Sequence, residues 1–251
     1  MTKTVEGYLT TSDGVQLAYV RTPGQSPGII FLGGYMSDMS GIKAQALENF
    51  CQENSLSFIR FDYRGHGAST GSFEMSTIST WTSDTLAVID SLTDGPQILV
   101  GSSMGGWLML LAAIARKPLI LGLVGIAAAT DFTKRLLDSE LTVSQLTELR
   151  RTGVTHVHSP YSETPYVFTQ SLLEDGQTQL LLGKPIDLQC PVRLLHGMAD
   201  TSVPWENSLD LANALNTSDV EIILIKEGDH RLSDPASIDR LLMAVRTLIP
   251  S

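Results

Sequence analysis

The chain has 251 residues, 43% of them hydrophobic, and its 17 basic and 27 acidic side chains give a formal net charge of −10. This length and apolar content fit one α/β domain that covers residues 1–251. The acidic balance argues against nucleic acid or an anionic membrane surface as a partner.

The two cysteines, Cys51 and Cys190, lie far apart in the sequence. Their spacing matches neither a disulfide framework nor a C-x-x-C metal or redox motif, so we expect two reduced, buried thiols. The N-terminal residues lead directly into strand-like sequence without an apolar or Arg-rich leader. Residues 118–129, the longest apolar stretch, are too short to cross a bilayer. These features favour a cytoplasmic protein.

Apolar patterning predicts strands that alternate with helices along most of the chain. In chain order we expect a hairpin over 5–20, a strand at 28–32, a helix over 43–54, a strand at 57–61, a helix over 79–92, a strand at 97–100, a helix over 105–116, a strand at 119–127, a strand at 191–195, a helix over 205–215, a strand at 220–225 and a helix over 236–248. This alternation predicts a mostly parallel doubly wound sheet, with the chemistry at the carboxyl ends of its strands. Residues 131–188 interrupt the pattern with short amphipathic pieces. They predict a small helical lid inserted over those strand ends.

A G-x-S-x-G motif, Gly101-Ser102-Ser103-Met104-Gly105, lies between a predicted strand and a predicted helix. This order is typical of the nucleophile elbow of α/β-hydrolases, in which two glycines relieve the crowding at a sharp turn and the central serine is lifted above the sheet edge. Ser103 has glycine two residues away on both sides, whereas Ser102 does not. We therefore predict Ser103 as a nucleophile. Taken alone, the motif would also fit an ordinary strand-to-helix turn.

A serine hydroxyl needs a neighbouring base, and that base needs a carboxylate to orient it. In α/β-hydrolases the acid and then the histidine follow the serine along the chain, both in loops after strands. His230 follows the last predicted strand and Asp200 follows the strand before it, so we predict them as base and acid. Asp131, after an earlier strand, is the alternative acid. Asp229, next to His230, would face the wrong way to orient it.

The other four of the five histidines are interpreted as structural or surface residues. His66 lies in a glycine-rich loop and is expected to be a turn residue. His196 lies at a strand end, where a structural hydrogen bond is the favoured interpretation. His156 and His158 fall within the lid and are expected at its surface, from which they could touch a substrate.

Negative charge on an attacked carbonyl needs N–H donors that already point at it. In an α/β-hydrolase these come from the residue after the nucleophile and from the loop after the third strand, here the backbone amides of Met104 and Tyr35. The pair Gly33-Gly34 before Tyr35 would equally fit an ordinary strand-end turn. Further along the chain, we expect Asp62 and Arg64 to pair across a turn and to brace the top of the sheet.

The sequence has no metal-ligand spacing, dinucleotide fingerprint or P-loop lysine, so we expect neither a metal nor a cofactor.

Arg150 and Arg151 are candidates to meet a carboxylate on the leaving group, although exposed helix charges are the commoner explanation. Apolar lid residues are candidates to line an acyl tunnel, but would equally pack the lid onto the sheet. They are Leu136, Leu137, Leu141, Leu146, Tyr166, Val167 and Phe168.

Several longer stretches carry a resemblance to a known family. They are Ser-Pro-Gly-Ile-Ile-Phe at 26–31, Arg-Phe-Asp-Tyr at 60–63, residues 94–103, Gly-Gly-Trp-Leu-Met-Leu at 105–110, Arg-Leu-Leu-His-Gly-Met at 193–198 and Val-Pro-Trp at 203–205. Across essentially the whole chain the sequence resembles the α/β-hydrolase superfamily. Within it, the sequence is similar to the mammalian mitochondrial enzymes described as palmitoyl-protein thioesterases and mycophenolic acid acyl-glucuronide esterases. The resemblance implies Ser103, Asp200 and His230 as a catalytic triad.

Together, the residues and the resemblance predict a serine hydrolase that cleaves carboxylic esters or acyl thioesters through an acyl-enzyme intermediate. Its substrate would be a small molecule or an acyl protein, as for an acyl-protein thioesterase or an acyl-glucuronide esterase. One alternative is a non-catalytic binding protein with the α/β-hydrolase fold, since a fold does not fix a function. Another is hydrolysis of carbon–carbon or amide bonds by the same triad.

Overall fold

A central sheet of eight strands dominates the computed structural model, which describes residues 4–250. The strands of this sheet are β1 (Val5–Thr10), β2 (Gln16–Thr22), β3 (Gln25–Leu32), β4 (Leu56–Phe61), β5 (Gln97–Ser102), β6 (Ile120–Ile126), β9 (Val192–Gly197) and β10 (Val220–Ile225). Their spatial order is β1-β2-β4-β3-β5-β6-β9-β10. The pairs from β4 to β10 are parallel, whereas β1 pairs antiparallel with β2, and β2 with β4. The predicted mostly parallel sheet is confirmed.

Helices cover both faces of this sheet. Within residues 4–250 the α-helices are α1 (Ile42–Glu53), α2 (Ile78–Leu92), α3 (Met104–Ala115), α4 (Phe132–Arg135), α5 (Val143–Thr152), α6 (Gln170–Thr178), α7 (Glu206–Ala214) and α8 (Pro235–Arg246), and Lys117–Leu119 and Leu136–Glu140 form a 3₁₀ and a π-helical turn. Apolar residues of α1 and α8 share one core with the sheet, and those of α2, α3 and α7 share the core on its other face. This is the two-sided covering that a parallel sheet requires.

Burial along each strand reflects its place in the sheet. Every residue of β5 is buried, and so are the last six of β3, because helices cover both faces of these central strands. The edge strands β1 and β10 instead contain no fully buried residue, as expected where part of a strand meets solvent. Ser103 therefore follows a strand that is fixed on both sides.

The insertion between β6 and β9 packs over the carboxyl ends of the strands. It contains α4, α5 and α6, together with a hairpin of two antiparallel strands, β7 (Val154–Val157) and β8 (Tyr166–Thr169). Its helices share the core of α2 and α3 through Phe132, Leu149 and Leu172. The predicted lid is present, but the hairpin adds β structure to the helices that were expected. Strands of four residues are too short to show a clear alternation in the sequence.

Local sequence sets the ends of helix α5 in the lid. Thr142 accepts the N–H of Gln145, and the Gln145 side chain accepts the N–H of Thr142, which makes a capping box. At the other end Gly153 adopts a left-handed conformation with φ of 79°. Glycine has no Cβ to oppose that conformation, so the chain can leave the helix and enter β7.

The predicted ion pair between Asp62 and Arg64 is wrong. The Arg64 guanidinium binds Asp84 on α2 and Asp13 before β2, with N–O distances of 2.8 Å to each. Asp62 instead accepts the backbone N–H of Met39 at 2.7 Å. The Asp84 side chain is fully buried, and a cationic partner compensates such a carboxylate for its lost hydration. That partner is Arg64, because α2 packs against the 62–67 loop.

Two further expectations concern the membrane and the thiols. No helix among the described residues is long and apolar enough to cross a bilayer. Both cysteines are free; Cys51 is buried as expected, whereas Cys190 is half-buried.

Candidate active site

The turn from β5 into α3 holds Ser103 in a strained conformation, with φ of 54° and ψ of −121°. Residues other than glycine rarely adopt such angles, which cost about 1–3 kcal/mol. The tight turn also requires its glycines. A Cβ on Gly101 would lie 2.4 Å from the Gly105 carbonyl oxygen, and one on Gly105 would lie 2.2 Å from that of Leu32. The turn leaves the Ser103 side chain at the carboxyl edge of the sheet.

Two hydrogen bonds join Ser103, His230 and Asp200. Ser103 Oγ lies 3.1 Å from His230 Nε2, and His230 Nδ1 lies 2.7 Å from Asp200 Oδ2. Asp200 follows β9 and His230 follows β10, and these strands are parallel neighbours. Their carboxyl ends meet at the edge where β5 delivers Ser103, so the fold brings together three residues that are far apart in the sequence.

Four donors surround the fully buried carboxylate of Asp200. Its Oδ1 accepts the backbone N–H groups of Ser202 and Val203, both at 2.8 Å, and its Oδ2 accepts from His230 and lies 3.2 Å from His196 Nε2. Burial raises the pKa of Asp200, but hydrogen bonds from His196 and His230 and the charge of His230 outweigh it and hold the pKa below its usual value. The carboxylate therefore stays ionised and holds the His230 ring with its Nε2 towards Ser103.

The rival carboxylates have other partners. Asp131 accepts the N–H groups of Leu181 and Leu182, at 2.9 and 2.8 Å, and so fastens the end of the lid to its beginning. Asp229 accepts a backbone N–H three residues further along, at 2.9 Å. Neither carboxylate bonds to His230.

Two backbone amides beside Ser103 are unoccupied. The N–H groups of Met104 and Tyr35 donate to no acceptor within residues 4–250. The loop that carries Tyr35 lies against the serine, since a Cβ on Gly34 would be 3.3 Å from Ser103 Cβ. A buried or half-buried N–H normally has a partner, so these amides are available to an oxygen of a bound molecule.

A cavity of about 830 Å³ opens in front of Ser103 and His230. One group of lining residues is mainly apolar and belongs to the lid, apart from Met104; it comprises Met104, Phe132, Leu136, Val157, Tyr166 and Phe168. A second group, beside His230, is polar; it comprises Asp38, Ser40, Lys43, Arg231 and Ser233. Of the lid residues considered for an acyl tunnel, Leu136, Tyr166 and Phe168 line the cavity.

Comparison with known proteins identifies the fold. Residues 29–247 match the model of the alpha/beta hydrolase family. The chain belongs to the alpha/beta hydrolase family. Palmitoyl-protein thioesterase ABHD10, mitochondrial, from Homo sapiens is 45% identical over 248 residues, which are 98% of this chain and 81% of that protein. Its name locates that relative in mitochondria and so does not support the cytoplasmic expectation for this chain.

Two solved structures superpose closely on this hydrolase. Alpha/beta hydrolase domain-containing protein 10 from mouse has a TM-score of 0.90 and 43% identity, covering 97% of this chain and 98% of its own. A putative hydrolase from Agrobacterium vitis S4 has a TM-score of 0.95 and 40% identity, covering 99% of this chain and 100% of its own. The predicted α/β-hydrolase fold and family are confirmed.

In this hydrolase the 62–67 loop braces the 33–39 loop, which carries the Tyr35 amide. Side chains of the first loop bond to backbone atoms of the second on both sides of Tyr35. The bonds run from Tyr63 Oη to the Gly33 carbonyl oxygen (3.3 Å), from the Met36 N–H to His66 Nε2 (3.3 Å) and from the Met39 N–H to Asp62 Oδ1 (2.7 Å). The 62–67 loop was expected to brace the top of the sheet through an ion pair; the bonds observed here support the 33–39 loop instead.

His66 is more than the turn residue that we expected. Its ring is buried among the rings of Tyr63, Phe73 and Trp81, with centroids 5.0–5.5 Å away. Its Nδ1 lies 3.3 Å from the Arg64 carbonyl oxygen, so Nδ1 carries the proton and Nε2 accepts from the 33–39 loop. Burial lowers the pKa of His66 to about 4. A histidine between two glycines gives no sign of this contact in the sequence.

The remaining histidines divide between interior and surface. His196 makes the structural bonds that we predicted, with Nδ1 2.7 Å from Ser208 Oγ and Nε2 3.0 Å from the Val203 carbonyl oxygen. His156 and His158 are exposed as expected, and His158 also lines the cavity.

The Tyr35 side chain connects the 33–39 loop to the lid. Its hydroxyl donates to the Val167 carbonyl oxygen on β8. Its ring stacks on Phe168, with centroids 5.1 Å apart and planes inclined by 13°, and meets Trp81 edge-on. The lid hairpin and the loop beside Ser103 are therefore packed as one unit.

Tyr161 is a cavity residue that sequence reasoning missed. Its ring stacks on His230 at 5.9 Å, and its hydroxyl lies 2.9 Å from Ser202 Oγ. A lone tyrosine in an irregular segment carries no pattern that would reveal this contact. Conversely, Arg150 and Arg151 are exposed on α5 and do not line the cavity.

We predict that His66 makes the hydrolase less stable in acid. The pKa of His66 is about 4 in the folded protein against 6.5 for the free side chain, so the unfolded chain binds an extra proton between these values. The free energy of unfolding should therefore fall by at most about 3 kcal/mol through this residue as the pH drops from 6.5 to 4. Urea denaturation at several pH values in that window measures the effect.

The comparison for this measurement is His66→Gln, because the glutamine carbonyl can still accept from Met36 but cannot become charged. The variant should lose part of the acid-dependent fall in stability, whereas His156→Gln, at an exposed position, should keep it. Equal pH dependence of wild type and His66→Gln would contradict the prediction.

Proposed function

We propose that this hydrolase cleaves acyl thioesters and carboxylic esters, with Ser103 as nucleophile, His230 as base and Asp200 as the acid that orients the base. The observation that carries the proposal is the chain of two hydrogen bonds from Ser103 Oγ through His230 to Asp200, 3.1 and 2.7 Å long. This arrangement suits acyl transfer because His230 can accept the proton that Ser103 must lose, and Asp200 orients His230 and balances its charge.

In the first half of the reaction, Ser103 Oγ attacks the acyl carbonyl carbon while its proton passes to His230 Nε2. The carbonyl oxygen becomes an oxyanion, which the N–H groups of Met104 and Tyr35 stabilise; removing one such donor in other enzymes costs about 10²–10³ in turnover. When the tetrahedral intermediate collapses, the bond to the leaving sulfur or oxygen breaks, and His230 gives that atom its proton. Ser103 is left as an acyl ester.

In the second half, His230 takes a proton from a water molecule that attacks the acyl ester. A second oxyanion forms at the same two amides, and its collapse returns the proton to Ser103 Oγ and releases the carboxylic acid. Asp200 keeps its negative charge throughout and stabilises the positive charge that His230 carries between the two transfers. No cofactor enters this sequence.

The cavity supports an apolar acyl group as the substrate portion under the lid. Phe132, Tyr166 and Phe168 offer aromatic surface beside Ser103, and burial of apolar area there favours a long chain. Palmitoyl-protein thioesterase ABHD10 from Homo sapiens, 45% identical to this chain, is named for such a substrate. We therefore propose activity like that of an acyl-protein thioesterase, with esters such as acyl glucuronides as further substrates.

Ser103→Ala should abolish covalent labelling by a fluorophosphonate probe, because the probe forms its bond with an activated serine oxygen. The neighbouring serine provides a matched control, and Ser102→Ala should still be labelled. Gel fluorescence after labelling, on protein whose folding is checked by circular dichroism, measures both. Labelling that survives Ser103→Ala, or folded wild type that stays unlabelled, would contradict the proposal and favour a binding protein instead.

Asp200→Asn should lower the turnover of an activated ester by about 10⁴-fold, because the neutral amide no longer holds the required tautomer of His230. Asp131→Asn should stay within a few-fold of wild type, because its side chain bonds to the lid backbone and not to His230. Steady-state kinetics on both variants provide the test. The opposite ranking would move the acid to the end of β6.

Among substrates, kcat/KM should rise with the length of the acyl chain, and thioesters should be cleaved at least as well as the matching esters. Thioester and ester series with two, eight and sixteen acyl carbons measure this. A preference for the shortest acyl chain would point to a general esterase in which lid side chains occupy the space for a long chain. Turnover of matched amides or of carbon–carbon substrates in place of both series would overturn the proposed reaction.

A further inference from the structure

Two cations line the cavity beside His230. Lys43 lies in the first turn of α1, and Arg231 directly follows His230. Lys43 Nζ donates to the Arg231 carbonyl oxygen at 2.5 Å and lies 3.5 Å from Ser233 Oγ. These bonds keep the ammonium group in the polar wall of the cavity, close to the residue that carries the guanidinium.

Neither cation forms an ion pair with a carboxylate within residues 4–250, counting N–O distances up to 4.0 Å. By contrast Arg135, another cation that lines the cavity, is paired with Glu140. The chain has a net charge of −10, yet two neighbouring cations without acidic partners line its cavity. They give this part of the cavity wall a positive charge.

Other groups nearby modify this charge without cancelling it. Asp38 also lines the cavity, but its carboxylate accepts the N–H of Ser40 at 2.7 Å within its own turn. Helix α1 begins at Gly41 without a side-chain cap, so its first amides add positive character. Burial, reinforced by the charge of Arg231 and partly offset by Asp229, lowers the pKa of Lys43 to about 8. A bound anion would relieve the repulsion between the two cations.

The position of these cations relates them to one portion of the substrate. His230 Nε2 delivers the proton to the leaving atom, so the leaving group must lie on the His230 side of the scissile bond. Lys43 and Arg231 are in the cavity wall on that side, whereas the aromatic lid residues Phe132, Tyr166 and Phe168 are suited to the acyl chain.

We propose that Lys43 and Arg231 form a subsite for a leaving group that carries a carboxylate or a phosphate. This rests on the proposed function, because the reaction at Ser103 defines which portion of the substrate leaves. The subsite replaces the role considered for Arg150 and Arg151, which are exposed on α5.

The test uses two thioesters with the same acyl group, one of 3-mercaptopropionate and one of its neutral amide, 3-mercaptopropionamide. The measured quantity is the ratio of their kcat/KM values, anionic over neutral. Wild type should favour the anionic thioester, and Lys43→Gln and Arg231→Gln should each lower the ratio about fivefold, since a partly exposed charge-assisted contact contributes on the order of 1 kcal/mol. Raising the salt concentration should lower the ratio for wild type.

Matched variants separate charge from structure. Lys43→Arg and Arg231→Lys keep the charge and should keep most of the ratio. If Lys43 had only a structural role, Lys43→Arg and Lys43→Gln would both leave the ratio of the anionic to the neutral thioester unchanged. Arg150→Gln and Arg151→Gln remove equal charges outside the cavity and should leave the ratio unchanged. A ratio that stays the same in both glutamine variants at the cavity would overturn the proposal.

A second thioester pair distinguishes the sources of the anion. The S-acylated peptide Glu-Cys-Glu carries acidic side chains, and Gln-Cys-Gln is its neutral counterpart. If Lys43→Gln and Arg231→Gln lose the preference for the acidic member of this pair alone, the leaving group is an acidic peptide. Loss for the mercaptopropionate pair alone would identify a small acidic thiol. Labelling of Ser103 by a neutral fluorophosphonate probe checks the proposed function separately, because it does not involve the charge of the leaving group.

Discussion

The strained backbone of Ser103 is the constraint on which the candidate site depends. Strain of this kind persists only where the surrounding structure over-determines it. The Ser103 N–H donates to the Ile126 carbonyl oxygen at 2.9 Å, and its own carbonyl oxygen accepts from Gly106 and Ala129 at 2.9 and 3.0 Å. These bonds tie the turn to the end of β6 and to the first turn of α3. The position of the Ser103 backbone is therefore set by the sheet and by the first turn of α3.

The parallel sheet also explains why the partners of Ser103 come from distant parts of the chain. Neighbouring parallel strands end at the same edge, so the loops after β9 and β10 place Asp200 and His230 side by side. Hydrogen bonds from His196, from His230 and from backbone N–H groups then keep Asp200 charged inside the protein, where an unpaired carboxylate would take up a proton. The charge that orients His230 is thus maintained by two imidazole side chains together with main-chain N–H groups.

Long apolar runs made most of the fold predictable from the sequence. The predicted helices on both faces of the sheet end within two residues of the observed ones, because buried strands and amphipathic helices carry strong periodic patterns. The contacts that were missed depend on side-chain directions across the fold, such as Arg64 with Asp84 and His66 with the Met36 amide. Likewise, no local pattern could place Tyr161 on His230, because a packed tertiary structure decides which irregular segment covers the site.

The double attachment of Tyr35 affects how new specificities can arise in this hydrolase. Its loop lies against Ser103, while its hydroxyl and ring hold Val167 and Phe168 of the lid hairpin. Replacing the lid with one from another hydrolase would thus remove the contacts that Tyr35 makes with Val167 and Phe168 and leave the 33–39 loop with those of the 62–67 loop. A grafted lid and residue 35 must therefore be chosen together. Mutations at the contact between Tyr35 and the lid hairpin would then change substrate preference and turnover together.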